Sequence, residues 1–362
     1  MRRLLPLDQL LVVLFVPLWA LCFGLGVRAA VRQTGYAPIY VSRPAADEYP
    51  TLSGFKTAAA EGSGLRPGDR LLRVGDIDLR GVGPVGLSVV FAGWTGPERP
   101  VPMAYERDGR PGETALPVGS YRIYWPRLPA SLAFAFVAVF LLVRARPSPM
   151  LRTIVQTYMC VALLLTCAFA GGPWETGFSI AVHVISLSLA APLAVRGALL
   201  FPHGIEASAA WARHAHWLFA LLGPLDASRF YELPFSRSLG TLGAAALGLV
   251  NVAALVGLTL RSYRRADAIG RRQLKWFLFG AYCALLPPLL ATGVAAYDAR
   301  FTPLLVVSMS ALGVIPICLL IAVVHYNLFD VDHLLSAATS YTLFGVMLLA
   351  ALLAVAPRLA TP

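Results

Sequence analysis

Nine apolar runs separated by short polar segments make up most of the chain. Each run comes close to the roughly twenty residues that an α-helix needs to cross a bilayer. The fifth run is the weakest, because Arg213, His214, His216 and Pro224 interrupt it. The pattern predicts an α-helical membrane bundle of about nine spans, over residues 7–29, 128–143, 153–171, 177–201, 209–225, 239–260, 274–297, 303–326 and 340–357.

The first thirty residues could be read as a secretory signal peptide, since Met1-Arg2-Arg3 precedes an apolar stretch. The apolar run from Leu10 to Val27 is long for a signal peptide, and no A-x-A cleavage site ends it. We therefore predict a retained transmembrane anchor over residues 1–30.

Between Tyr36 and Val118 the pattern changes to short alternating segments punctuated by Gly and Pro. Leu72 and Val74 alternate as in a strand, Pro84–Ala92 suits a short helix, and Asp108-Gly109 is a hairpin turn signal. The strands flanking that turn are predicted at 101–106 and 113–118. The sequence thus predicts a small α+β domain over 31–124, followed by a bundle of about eight spans over 125–362.

Charge sets the expected orientation. The chain is 57% apolar and 14% charged with a net charge of +11, yet the α+β region is nearly balanced. Basic residues favour the cytoplasmic side of a membrane. Arg2 and Arg3 therefore place the N-terminus inside and the domain outside, and the six-cation loop 261–275 lies inside only if 209–225 crosses. The same count leaves the C-terminus outside.

One segment of the domain resembles a known family. The stretch from Gly64 to Gly75, GLRPGDRLLRVG, resembles the signature of bacterial PDZ domains, with Gly75-Asp76 where that family usually has Asn-Gly. The signature residues are Gly64, Leu65, Gly68, Asp69 and Val74. The resemblance implies a peptide groove between a strand near 52–56 and the helix 84–92, with walls from Leu52, Phe55, Val85, Leu87 and Val89. These apolar residues could equally be domain core.

Two bundle segments resemble the membrane sensor region of bacterial histidine kinases. They are GRRQLKWFLFG, from Gly270, and HYNLFDVDHLL, from His325. A PDZ-like module after the first helix is similar to the competence quorum-sensing kinases of Gram-positive bacteria. The resemblance implies a multi-pass protein of the bacterial inner membrane that relays a signal. No ATP-binding kinase core is present, so we expect a sensory half without its output domain.

Polar residues inside apolar spans are candidates for function. His183 in the fourth run and Asn251 in the sixth are the main ones, and an interhelical hydrogen bond is the plainer role for His183. The cytoplasmic boundary supplies candidates for coupling to an output domain or for capping and ion pairs: Arg271, Arg272, Lys275, Asp330 and Asp332.

Catalysis is not expected from this sequence. None of the six His residues has the H-E-x-x-H spacing of a zinc protease, and no G-x-S-x-G is present. All five Cys lie in apolar runs, so we expect no metal, cofactor or disulfide. The expected partners are the lipid bilayer, an extracytoplasmic peptide or protein, and a second copy in a homodimer, but no nucleic acid. The alternatives to a sensor are a PDZ-bearing scaffold and, less favoured, a transporter.

Cysteine labelling tests the predicted topology. A cysteine introduced between Arg261 and Lys275 should react with an impermeant maleimide only after the cells are permeabilised, because charge places that loop inside. A cysteine introduced in the α+β domain should react in intact cells. The reverse pattern would overturn the predicted number of crossings.

Overall fold

The computed structural model describes residues 6–42, 44–45, 47–55, 57–95, 100–120, 125–144, 148–167, 172–201, 214–231, 237–297 and 302–324. After α1 (Pro6–Val31) comes an α+β domain made of β1 (Gly35–Tyr36), β2 (Ile39–Val41), β3 (Leu52–Phe55), α2 (Ala58–Glu61), β4 (Arg70–Val74), β5 (Ile77–Asp78), α3 (Pro84–Ala92), β6 (Pro100–Arg107), β7 (Arg110–Pro117) and β8 (Gly119–Ser120).

The helical bundle follows the domain. It contains α4 (Arg127–Arg144), α5 (Pro149–Thr166), α6 (Pro173–Leu200), a 3-10 helix (Ala215–Leu221), α7 (Leu222–Tyr231), α8 (Arg237–Arg265), α9 (Ala268–Tyr297), α10 (Thr302–Ser308), a second 3-10 helix (Met309–Gly313) and α11 (Val314–Val324).

The described residues contain six helical stretches that are long and apolar enough to cross a membrane. A shorter apolar helix covers Arg127–Val143. The protein is therefore a helical membrane bundle, as the apolar runs predict. The predicted ninth run, 340–357, lies outside the described residues. The six stretches are Gln9–Val31, Pro149–Thr166, Pro173–Leu200, Leu242–Arg265, Ala268–Val294 and Leu304–Ala322.

The weak fifth run forms a 3-10 helix that continues directly into α7. Seven residues at about 2.0 Å and ten at about 1.5 Å give a combined length of roughly 29 Å. The segment runs antiparallel to α6: Asp226 contacts His183, and Phe219 packs in one apolar cluster with Ala191 and Val195. A bilayer core is about 30 Å thick, so this segment is long enough to span it despite its few residues.

A chain of polar contacts joins the first three bundle helices. The Trp19 indole nitrogen in α1 donates to Ser131 Oγ in α4 at 2.9 Å, and Ser131 Oγ donates to the Ala162 carbonyl in α5 at 2.8 Å. Ser131 is fully buried. The hydroxyl therefore fixes α1 against α4 and α5, so α1 belongs to the bundle rather than standing apart from it.

The predicted basic loop 261–275 is mostly helix. α8 continues to Arg265 and α9 begins at Ala268, which leaves a turn of two residues. Ala266 is buried in the bundle core, and Asp267 caps α9 by accepting a hydrogen bond from the Gly270 amide at 2.8 Å. Arginine stems can lie along an apolar surface while their charged heads reach water, so the helices continue through the basic stretch.

The α+β domain has a four-stranded antiparallel sheet in the order β5-β4-β6-β7. A second ladder pairs β2 with β3, and a bridge from Thr51 to Arg70 continues it towards β4. The helix α3 closes the core with the buried side chains of Leu87 and Phe91. Asp108 and Gly109 have φ of 51° and 77°, the left-handed conformation that a tight hairpin requires. The predicted helix and hairpin are thus confirmed.

The residues of the glycine-rich signature each have a structural role. Gly64 and Gly68 have φ of 85° and 97°, and Leu65 and Val74 lie in the domain core. Asp69, 2% exposed, receives two hydrogen bonds of 2.7 Å from the Arg107 guanidinium and one of 2.7 Å from the Arg66 amide. Arg107 also donates to the Gly64 carbonyl at 2.9 Å, so this ion pair closes the loop onto β6.

Both ends of the domain are held close to the bundle. α1 ends in a Schellman motif, in which Gln33 has φ of 51° and the Thr34 amide donates to the Ala29 carbonyl at 2.9 Å. The next residues form β1, which pairs antiparallel with β8 at the exit from the domain. A side chain at Gly119 would collide with the Tyr36 ring, which explains the glycine. The two connections are thus joined to each other.

Replacing Arg107 with Gln should destabilise the domain by about 3 kcal/mol, because it leaves the buried Asp69 carboxylate without its paired cation. Hydrogen exchange of β4 and β6 in the full-length protein measures the loss. Arg70→Gln is the matched control, since the Arg70–Glu106 pair is solvent-exposed and should contribute less than about 1 kcal/mol. Equal effects of the two substitutions would contradict the role given to Arg107.

Acidification should reduce the difference between wild type and Arg107→Gln. Hydrogen bonds from the Arg107 guanidinium hold the pKa of Asp69 below its usual range. A lowered folded-state pKa contributes stability that is full above the unfolded value of about 3.9 and is lost as the pH falls through the folded value. Hydrogen exchange across this range should show wild type approaching the variant. A constant difference would contradict the assignment.

Candidate functional site at the junction of domain and bundle

The helix α3 has two distinct faces. Leu87 and Phe91 point into the domain core, whereas Val85, Val89 and Ala92, at i, i+4 and i+7, share the opposite face. Val85 and Val89 are half-buried and Ala92 is buried, although none of the three belongs to the domain's core cluster. The nine residues of α3 include no charged side chain. The second face is therefore covered, and not by the domain's own core.

Beyond the domain core, α3 has neighbours in the bundle. α3 contacts β1 within the domain and also contacts α6 and α7. Close to the same junction, Arg28 in the last turn of α1 forms an ion pair with Glu175 in the first turn of α6, where Glu175 is 6% exposed. A cation at a helix C-terminus and an anion at an N-terminus also match the two helix dipoles. The domain is thus in contact with the bundle.

The five residues expected to wall a peptide groove do not come together on one surface. Leu52 and Leu87 are 2% and 1% exposed and form part of the domain core, and Phe55 packs against that core. Val85 and Val89 lie on the opposite face of α3. Moreover, β3 has β2 on one side, and on the other side the Thr51–Arg70 bridge continues the ladder towards β4. Among the described residues no strand pairs with the far side of β2. The edge suited to strand addition is Ile39–Val41.

His183 meets an acidic partner that sequence reasoning missed. Its Nε2 lies 3.0 Å from Asp226 Oδ2 in α7, and the two side chains are 23% and 20% exposed. His183 is ten residues into α6, about 15 Å along the helix from Pro173. The signal that could have identified Asp226 is a carboxylate directly after a predicted apolar span, since acidic groups at that depth need a partner. The pair joins the two bundle helices that contact α3.

Asn251 joins α6 to a third helix. Its amide nitrogen lies 3.5 Å from the Ala191 carbonyl, and the residue is 8% exposed. Small residues allow the neighbouring helices to approach closely: a side chain at Gly223 would collide with Ser188, and one at Gly240 would collide with Ser228. Of the two polar candidates from the sequence, His183 thus connects α6 with α7 and Asn251 connects α6 with α8.

Three of the five coupling candidates lie at the opposite end of the bundle. The Arg271 Nε donates to the Ala266 carbonyl at 2.9 Å, which holds the turn between α8 and α9. Arg272 and Lys275 lie one and four residues further along α9. Asp330 and Asp332 lie outside the described residues, so their expected pairing with this end stays a prediction.

Comparisons of the chain with models of protein families, with curated proteins and with solved structures found no match.

A double-mutant cycle measures the coupling between His183 and Asp226. The variants His183→Ala, Asp226→Ala and their combination should give an interaction energy of about 0.6–1.7 kcal/mol, the range of interhelical hydrogen bonds in membrane proteins. Reversible unfolding in mixed micelles supplies the stabilities. The pair His183 and Asn251 is the control, because these residues contact different neighbours. Additive effects for His183 and Asp226 would contradict the contact.

Proposed function

We propose that the chain is the sensory region of a bacterial transmembrane signalling protein. The α+β domain, a PDZ-like module on the extracytoplasmic side of the inner membrane, detects an external or membrane-borne signal. The bundle of about nine spans relays the resulting rearrangement to the cytoplasmic side. One observation carries the proposal: the domain helix α3 contacts α6 and α7, the two helices that the His183–Asp226 pair joins.

The route of the signal follows α6 from one end of the bundle to the other. α6 begins beside the domain, where Glu175 pairs with Arg28, and extends for 28 residues to Leu200. At its far end Phe201 contacts Phe277 of α9, with ring centroids 6.2 Å apart. Phe201, Ala266 and Leu274 share one apolar cluster. A shift of α6 against α7 would therefore reach the turn between α8 and α9.

The attachment of the domain favours signalling over simple tethering. A flexible linker would absorb a displacement of the domain, whereas a Schellman stop followed directly by β1 transmits it to α1. The charge distribution supports the orientation, since basic residues cluster at the end of the bundle far from the domain.

A PDZ-bearing scaffold is the second candidate, and the edge of β2 favours it. Ile39 and Val41 point into the core, while the backbone on the side away from β3 pairs with no described strand. An extended peptide could add there as a further strand. In a scaffold, occupation of this edge would leave the far end of the bundle unchanged.

Placing a charge on the covered face of α3 tests the relay. Val89→Asp should disturb the contact with α6 and α7 and alter the environment of the turn between α8 and α9. The readout is the maleimide reaction rate of Ser262→Cys, in a chain whose five native cysteines are replaced by Ala. Allosteric couplings of 1–3 kcal/mol correspond to changes of about fivefold or more, so we expect at least that change.

The matched control is Ile77→Asp, which places the same charge at an exposed position in the domain, away from the junction. It should leave the Ser262→Cys rate unchanged. Hydrogen exchange of α3 shows whether Val89→Asp displaces this helix. If α3 is displaced but the maleimide reaction rate of Ser262→Cys is unchanged, the result would contradict the sensor and favour the scaffold.

A further inference from the structure

Three arginines form a stripe at the end of α8 that lies far from the α+β domain. Arg261, Arg264 and Arg265 are exposed and follow one another at i, i+3 and i+4, so they share one face of the helix. The described part of the chain supplies no salt bridge to any of the three. The nearby Asp267 instead accepts the Gly270 amide as the cap of α9. The stripe thus presents three positive charges at one point.

A surface cavity of about 520 Å³ follows this stripe. Its lining continues from the arginines to Leu260, directly before Arg261, and to Gly257, one turn closer to the middle of α8. A side chain at Gly257 would stand in open space, so the glycine leaves a recess in the helix surface.

Apolar side chains extend the recess along α8 towards the membrane interior. Leu260 and Val250 are 48% and 56% exposed, and Val250 lies seven residues before Gly257 and fourteen before Arg264, so it continues the face of the recess. The surface is therefore divided along one helix into a cationic end and an apolar length. A ligand that fits it carries a negative head group and a hydrocarbon tail.

We propose that this face of α8 binds an anionic phospholipid from the leaflet at the basic end of the bundle. The phosphate contacts Arg261, Arg264 and Arg265, whose guanidinium groups form short charge-assisted hydrogen bonds with phosphate oxygens. The acyl chain lies over Gly257 and along Leu260 and Val250. Because the stripe ends at the two-residue turn into α9, the bound lipid contacts the part of the bundle that the proposed relay reaches.

Lipid binding to the purified full-length protein in a neutral detergent tests the site. Fluorescence anisotropy of labelled phosphatidylglycerol gives the affinity, with labelled phosphatidylcholine as the zwitterionic comparison. Wild type should bind phosphatidylglycerol more tightly. Each juxtamembrane arginine contributes about fivefold, so R261Q/R264Q/R265Q should weaken binding on the order of 100-fold.

Two further variants separate the site from general charge and from misfolding. R32Q/R66Q/R110Q removes the same charge from exposed positions at the domain end and should bind as wild type does. Gly257→Leu keeps the arginines but fills the recess, and should weaken binding of phosphatidylglycerol without lowering helix content.

Three results would overturn the proposal. One is wild-type affinity in R261Q/R264Q/R265Q, and another is an equal loss in R32Q/R66Q/R110Q. The third is displacement of the labelled lipid by inorganic phosphate, which would identify a phosphate site rather than a lipid site. Because the readout is lipid affinity, failure here leaves the proposed relay through α3 and α6 untouched, and that relay is measured separately.

Discussion

Hydrocarbon offers no hydrogen-bond partners, so polar contacts between helices are favoured inside this bundle. Three sets of such contacts join helices of the bundle. Trp19 and Ser131 connect α1, α4 and α5, His183 and Asp226 connect α6 and α7, and Asn251 connects α6 and α8. The helix α6 takes part in two of these connections. It also extends from the domain junction to the basic end, which makes it the central element of the fold.

The α+β domain adds a second constraint, because it is inserted between α1 and α4 and its two connections pair with each other as β1 and β8. A rotation of the domain would act on α1 through the Schellman motif and on α6 and α7 through α3. In the proposed function, an external ligand that changes the domain would change the domain-side ends of α1, α6 and α7. A bound anionic lipid would act at the other end, on α8, so both influences meet at the turn between α8 and α9.

Much of the fold is predictable because its patterns are local. Long apolar runs give the helices, and Asp108-Gly109 gives the hairpin. The contact between His183 and Asp226 joins residues 43 apart, and its register depends on how a 3-10 helix lengthens the fifth run. The sequence also could not predict which face of α3 enters the domain core, because Val85, Leu87 and Val89 are all apolar. Only the packing decides that Leu87 enters the core while Val85 and Val89 lie on the opposite face.

Hydrogen exchange of the unmodified full-length protein in lipid nanodiscs tests the central claim most directly, because it shows which segments open together. If the domain helix is mechanically part of the bundle, the amides of α3 will open in one cooperative step with those at the ends of α6 and α7 nearest the domain. Independent opening of α3 with the β4–β6 sheet, while α6 and α7 stay protected, would contradict the account.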